Sequence, residues 1–369
     1  MKSTKTGIDP KVAKELESLR LEIDRADSEI VGLLARRMDV VRKVGELKKK
    51  HGMEVTDAGR EAKVVEKWEG IGHSLGLPPG LAGAVVSSIF PYSKTQEVKS
   101  SRRHSVCIIG YGSMSKALAW AILNAGNKVF ITGRNMVKAK KLAESLQCRS
   151  APIGKSVSES EYIILALAPD AFESGFVEEA LNGASGKLVM DIASAKYQIF
   201  GKMQKLSKSL GFRYVSTHPL FGGGAIPVGR KIAIISDPSK SKADVEEVAG
   251  FYSEIGIGPV IASLEVHEKA MAVVQVIPHF MTLSLEKAIS SAETRFGVSS
   301  ADFSTPNLER ARALIDGVKN NMDTILEIQY LNKFAERARR ASINSVASLE
   351  KSFEKLDVHY RKGRTDPAK

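Results

Sequence analysis

Between Lys11 and Lys50 apolar residues recur every three or four positions, with no proline to break the run. Leu16, Leu19, Ile23, Ala26, Ile30, Leu33, Val40, Val44 and Leu47 fall on one stripe, the pattern of a coiled-coil-like helix. At 1.5 Å per residue that helix is about 60 Å long, and His51-Gly52 stops it. With Asp57 as N-cap a second helix runs to Gly70. Pro78-Pro79 opens a third that runs to about Val98 and kinks at Pro91. Two short helices cannot cover a seam of that length. The pattern predicts an all-α three-helix domain over residues 1–98 that intertwines with a second copy as a homodimer.

The polar stretch Lys99–His104 reads as a linker. From Ser105 short apolar strands alternate with helices: Val106–Ile109, Val129–Thr132, Tyr162–Leu167, Leu188–Asp191, Tyr214–Ser216 and Ile232–Ser236. That rhythm is α/β doubly wound and predicts a Rossmann-like domain over residues 105–263. Residues 264–356 turn helical again, giving a C-terminal all-α domain that packs on the sheet and dimerises. Residues 357–369 read as a basic, disordered tail.

The chain has 369 residues, 43% apolar, which suits a soluble protein of several domains. Its net charge of +12 invites nucleic acid. The basic residues are spread along helices, however, and aromatics are only 6%, so no stacking platform accompanies them. Small anionic substrates fit the charge instead, and no nucleic-acid partner is expected. No apolar run is long enough to span a membrane, and the N-terminus lacks a signal-peptide core. Cys107 sits in an apolar strand and Cys148 is the only other cysteine, so a reducing cytoplasm is expected and no disulfide. No metal site is expected.

Two motifs point to redox chemistry. Gly110-Tyr111-Gly112-Ser113-Met114-Ser115 follows a strand and precedes an apolar helix, the context in which a dinucleotide fingerprint holds pyrophosphate. Its third glycine is replaced by Ser115. After the second strand the acidic residue expected for NAD is missing; Arg134-Asn135 stands there, with Lys138 one turn on. Arginine can pair with a 2′-phosphate, which favours NADP, with NAD as the alternative. Downstream, Ser216-Thr-His218-Pro-Leu-Phe-Gly222 puts a histidine at the end of an apolar strand, where it can serve as acid or base beside a nicotinamide.

A third cluster is cationic. Arg37 falls on the apolar seam of the long helix, where a guanidinium is costly without an anion. Either Glu61 or Asp57 pairs with it, or it joins Arg20, Lys48 and Arg60 around a small dianion.

Leu19-Arg20, Leu33-Leu-Ala-Arg-Arg37, Val44-Gly-Glu-Leu-Lys48 and Val55-Thr-Asp57-Ala-Gly-Arg60-Glu61 resemble the all-helical chorismate mutase family. The resemblance implies that Arg37 and the partner chain's Arg20 bind substrate carboxylates, with Arg60 as a further contact. Lys48 would donate to the ether oxygen, Asp57 and Glu61 would hold the ring hydroxyl side, and Ser93 falls at the family's serine. Where the family often has glutamine, this chain has Glu97, which would have to act in its protonated form. A register shift would bring Gln96 there instead. The reaction implied, chorismate to prephenate, needs a held conformer and a stabilised ether oxygen rather than a nucleophile.

Residues 105–350 resemble prephenate dehydrogenase through Asp191-x-x-Ser194-x-Lys196, His218-Pro-x-Phe-Gly, His267-Glu268 and Gln275-x-x-Pro-His279. The resemblance implies oxidative decarboxylation of prephenate. His218 would take the C4 hydroxyl proton, Ser194 would bind that hydroxyl and steady His218, and His279 would contact substrate. His267 reads as structural. The family's carboxylate-binding arginine is missing, leaving Arg310, Arg312 and Lys319 as candidates. The two resemblances together imply a fused enzyme of tyrosine biosynthesis. The alternative is a dehydrogenase whose helical N-terminal domain only dimerises or regulates.

Overall fold

The periodicity from Lys11 onward produces one helix, α1 (Pro10–Lys50). It is followed by α2 (Ala58–Ser74) and α3 (Leu81–Gln96). The structure is a computed structural model that describes residues 9–51, 58–98, 100–237 and 241–362. Helix α2 outlasts its expected end at Gly70. Helix α3 starts where it does because Gly80 adopts a left-handed conformation (φ 85°) and Glu69 of α2 caps the helix. The Glu69 carboxylate accepts the Gly83 N–H at 2.6 Å and the Gly80 N–H at 3.3 Å, satisfying donors a helix start leaves open. Leu19, Ile30, Leu33 and Leu47 of α1 are 50–64% exposed, so the chain on its own leaves the seam in water.

The expected linker is not free. Val98 is buried in the core of the next domain, the Ser100 N–H donates to the Ala125 carbonyl at 3.0 Å, and Asn124 donates to the Thr95 carbonyl at 2.7 Å. Buried His104 lies between Glu161 (3.3 Å) and Glu254 (3.5 Å). These polar residues are paired rather than solvated.

Eight strands form one sheet: β1 (Ser105–Ile109), β2 (Lys128–Thr132), β3 (Arg149–Ser150), β4 (Tyr162–Leu165), β5 (Leu188–Asp191), β6 (Arg213–Pro219), β7 (Lys231–Ser236) and β8 (Gly258–Ser263). Their order is β3-β2-β1-β4-β5-β6-β7-β8. The first six run parallel, and β7 turns antiparallel to β6. The intervening helices are α4 (Ser113–Asn124), α5 (Met136–Ser145), α6 (Ile153–Ser158), α7 (Pro169–Glu173), α8 (Phe176–Ala180), α9 (Tyr197–Leu210) and α10 (Lys242–Glu254). In β1, Val106 and Ile108 enter one buried cluster while Cys107 and Ile109 enter the other. Both sheet faces are therefore covered, as period-two strands with no polar side require. Because β1, β4, β5 and β6 are parallel, their carboxyl ends open on one edge, where ligands of such sheets bind.

The chain then runs through α11 (Leu264–Met271), a π-helical turn (Ala272–Val276), α12 (Ile277–Phe296), α13 (Pro306–Lys319), α14 (Met322–Leu331) and α15 (Ala335–Lys362). Helix α15 continues through residues 357–362, so the expected disordered tail is helical there. No helix among the described residues is long and apolar enough to cross a membrane.

Candidate active sites

The helical domain gathers charge where α3 meets α1. Gly45 permits the approach: a Cβ there would overlap the backbone of Glu97. Lys48 Nζ then reaches Glu97 Oε2 at 2.9 Å. The Gln96 amide points instead at the Thr95 hydroxyl (3.5 Å), so Glu97 is the residue at Lys48. Three turns back along α1, Arg37 Nη1 donates to the buried Ser93 hydroxyl. Burial lowers the Arg37 guanidinium from its ordinary value, the mark of a cation held partly out of water. Glu61 pairs with Lys94 at 2.8 Å, not with Arg37. Glu97, expected as a protonated acid, is held here as the partner of an ammonium. Arg60 is exposed in the first turn of α2, and Asp57 lies outside the described residues. Arg20 is exposed and stands about 25 Å up the helix from Arg37 at 1.5 Å per residue. It cannot reach that pocket in its own chain.

At the sheet edge, Gly110 has φ 139° and a Cβ on it would overlap the Ala166 carbonyl oxygen. Gly112 then ends in extended backbone at the start of α4, with no side-chain cap on the helix N–H groups. Ser115, where the third glycine is usual, is buried and its hydroxyl has no partner among the described residues. A crowded glycine, an uncapped helix start and an unpaired buried hydroxyl fit a dinucleotide pyrophosphate. Tyr111 lies against Gly133, and Ser113 against Gly223 in the loop that follows His218. Two expected cofactor residues also have local contacts: Met114 packs on the core, and the Asn135 side chain caps α5 by accepting the Lys138 N–H at 3.0 Å. The Thr132 hydroxyl is spent on the Ala151 carbonyl (2.8 Å). Arg134 is exposed, lies 5.0 Å over the Phe176 ring, and borders a cavity of about 800 Å³ also lined by Met136, Pro152 and Glu179.

His218 lies at the carboxyl end of β6 and is 2% exposed. Its Nδ1 is 3.0 Å from His267 Nε2 of α11. Burial, then the Lys196 ammonium and His267, hold His218 well below the ordinary imidazole range, so the imidazole is neutral near pH 7. Beneath it Lys196 Nζ meets Asp191 Oδ1 and the Thr217 carbonyl, both at 2.5 Å, and the Tyr214 hydroxyl donates to Asp191 Oδ2 at 2.6 Å. Burial lowers Lys196 despite Asp191. Ser194, three residues beyond β5, is half-buried at the same edge. Among the described residues it makes no hydrogen bond to His218; the steadying partner is His267. That histidine, expected to be merely structural, and Glu268, quoted in the same motif but given no role, are the residues that stand behind His218. Their signal was the His-Glu pair at the start of a helix. His279 sits in the first turn of α12, half-buried, lowered by burial, with Nδ1 unpaired. The three candidate cations are engaged locally: Arg310 with Asn307 (3.3 Å), Arg312 with Glu293 (3.5 Å) and Lys319 with Glu286.

Residues 19–98 match the model of chorismate mutase type II, and residues 105–195 match that of NADP oxidoreductase, coenzyme F420-dependent. A probable arogenate/prephenate dehydrogenase of Methanocaldococcus jannaschii is 24% identical over 253 residues, 67% of this chain and 56% of that protein. The T-protein of Enterobacter agglomerans is 22% identical over 281 residues, 73% of this chain and 69% of that one. This chain thus spans little more than half of the first relative and about two thirds of the second. Prephenate dehydrogenase from A. aeolicus, solved with hydroxyphenyl propionate and NAD+, shares the fold with a TM-score of 0.54 at 18% identity, covering 72% of this chain and 94% of that one. Residues 19–98 thus resemble type II chorismate mutases, and the sheet and helices that follow share the fold of prephenate dehydrogenase.

Proposed function

We propose that this chain makes prephenate from chorismate in its helical domain and oxidatively decarboxylates it to 4-hydroxyphenylpyruvate in the sheet domain, on the route to tyrosine. The observation that carries the reading is a neutral, buried His218 on the sheet edge where the Gly110 loop opens, the edge on which Ser194 follows β5. A nicotinamide dinucleotide, when bound, supplies the hydride acceptor. Gly110, Tyr111, Gly112 and Ser113 form its cradle, and the exposed Arg134 guanidinium at the cavity, stacked on Phe176, favours the 2′-phosphate of NADP. His218 accepts the C4 hydroxyl proton, and Ser194 and His279 face the substrate.

In the mutase half, Arg37 and Ser93 hold a carboxylate, and Lys48, drawn from Glu97, stabilises the negative charge growing on the ether oxygen. Arg20 comes from a second copy, because the exposed α1 seam and the distance from Arg20 to Arg37 both call for one. The working protein is therefore a homodimer. Its two cysteines, free among the described residues, suit a reducing cytoplasm.

The test is to supply chorismate with NADP and record NADPH absorbance. The reading predicts reduction after a lag while prephenate builds up. Prephenate accumulating with either NADP or NAD, and no reduction, leaves only the mutase half standing.

A further inference from the structure

We propose that His218, His267 and Glu268 form one proton-accepting unit: His267 is a positioning residue that fixes the tautomer of His218, and Glu268 balances the proton that His218 takes up. The proposal rests on the dehydrogenase reading above.

The pairing is geometric. His218 Nδ1 and His267 Nε2 are 3.0 Å apart, and the rings meet edge-on at 76° with centroids 5.2 Å apart. Nδ1 is thereby committed, so Nε2 is the atom of His218 left for a substrate proton. A neutral imidazole accepts at Nε2 only if Nδ1 carries the hydrogen. Nδ1–H must then donate to His267 Nε2, which puts the His267 hydrogen on its own Nδ1. That atom lies 3.4 Å from Glu268 Oε1, in ion-pair range. One tautomer assignment satisfies the His218–His267 hydrogen bond and puts the remaining hydrogen on the His267 nitrogen nearest Glu268.

The carboxylate is held for this purpose. Glu268 is fully buried, and its Oε1 accepts the Lys196 backbone N–H at 3.3 Å. Glu268 Oε2 and His267 Nδ1 have no hydrogen-bond partner among the described residues. Unpaired buried polar atoms are costly, and two side by side behind a catalytic base call for a functional reason.

The surrounding charge agrees. The groups around His218 are Asp191 and Lys196 from β5 and the loop after it, Tyr214 on its own strand, Tyr252 of α10 reached through Thr217, and His267 and Glu268 of α11. Burial pushes both tyrosine hydroxyls up, so they stay neutral. Two carboxylates against one ammonium leave one negative charge. A proton on the histidine pair cancels it.

The step balances. The substrate O–H bond breaks and an N–H bond forms at His218 Nε2 as the C4–H pair departs as hydride. When carbon dioxide leaves, the pair from its C–C bond enters the ring and reaches the C4 oxygen. That oxygen takes the same proton back from Nε2 and becomes a phenol.

The test uses the full-length chain with ¹⁵N-histidine. Nitrogen–proton correlations in the resting enzyme are expected to show His218 protonated at Nδ1. In steady state with prephenate and dinucleotide, Glu268→Gln should lower kcat about a hundredfold, with little change in KM, and move the acid limb of the pH profile to lower pH. His267→Gln, which keeps an acceptor for Nδ1–H, should retain more activity than His267→Leu. An active wild type with the hydrogen of His218 on Nε2 overturns this proposal alone. So do variants that bind dinucleotide normally and keep wild-type kcat and pH profile. A wild type with no prephenate-dependent reduction overturns the dehydrogenase reading itself.

Discussion

His218 shows what burial does to a single side chain. Because its imidazole is held low, the dehydrogenase kcat/KM should stay level through neutrality and fall only at acid pH, below the ordinary histidine range. Replacing His218 with Asn should cost about 10²- to 10⁴-fold in that reaction and leave prephenate formation unchanged, as separate assays of the two steps will record. The same lowered value has a thermodynamic side. The unfolded chain protonates this histidine near pH 6.5, the folded chain only at lower pH. Between those values the unfolded state binds the extra proton. The contribution of His218 to stability is therefore whole above about pH 6.5 and is lost as the pH falls toward the folded value. Urea midpoints should drop more between pH 7 and pH 5 for wild type than for His218→Asn; equal drops would contradict this. His218 itself was legible because a strand, a proline and a glycine frame it in a short motif. Its partner was not. His267 comes 49 residues later, and only the packing of α11 against the sheet brings the rings together. Asn135 differs: its polarity suggests a ligand contact, and the start of α5 also engages its side chain.

At the scale of elements, the alternation of apolar runs located six of the eight strands. The two it passed over are edge strands. Strand β3 is only two residues long, and β8 opens with Gly258-Pro259, which reads as a loop because proline lacks the donor a central strand needs. The linker was misread for a related reason: its serines and His104 look solvent-loving, yet each meets a partner supplied by a distant element. Contacts between elements also set the tightest tolerances. Gly45 is the point where α3 closes on α1, so Gly45→Val should push Glu97 off Lys48. Overpacking of that kind costs about 1–3 kcal/mol. The mutase rate should fall while prephenate oxidation continues, and a crystal structure should show α3 displaced. Gly110→Ala should instead abolish dinucleotide binding in a fluorescence titration, since its Cβ meets a carbonyl that cannot yield and its φ of 139° suits only glycine.

For the whole molecule, the proposed homodimer rests on the exposed seam of α1. Leu33→Glu places a charge in the middle of that stripe. It should shift the protein to monomers in sedimentation, and mutase activity should be lost with the dimer because Arg20 would no longer be delivered. An unchanged sedimentation coefficient would mean that another surface holds the copies together. The fusion itself is more intimate than two tethered domains. Glu97 faces Lys48 in the candidate site of the helical domain, while the next residue, Val98, is sealed in the core of the sheet domain. Asn124 and Ala125, at the end of α4, grip the chain on either side of that step. Melting of one half therefore opens a hole in the other. In scanning calorimetry the full chain should give a single endotherm. Val98→Asp should split it into two, because the two halves would then be free to lose their order at separate temperatures.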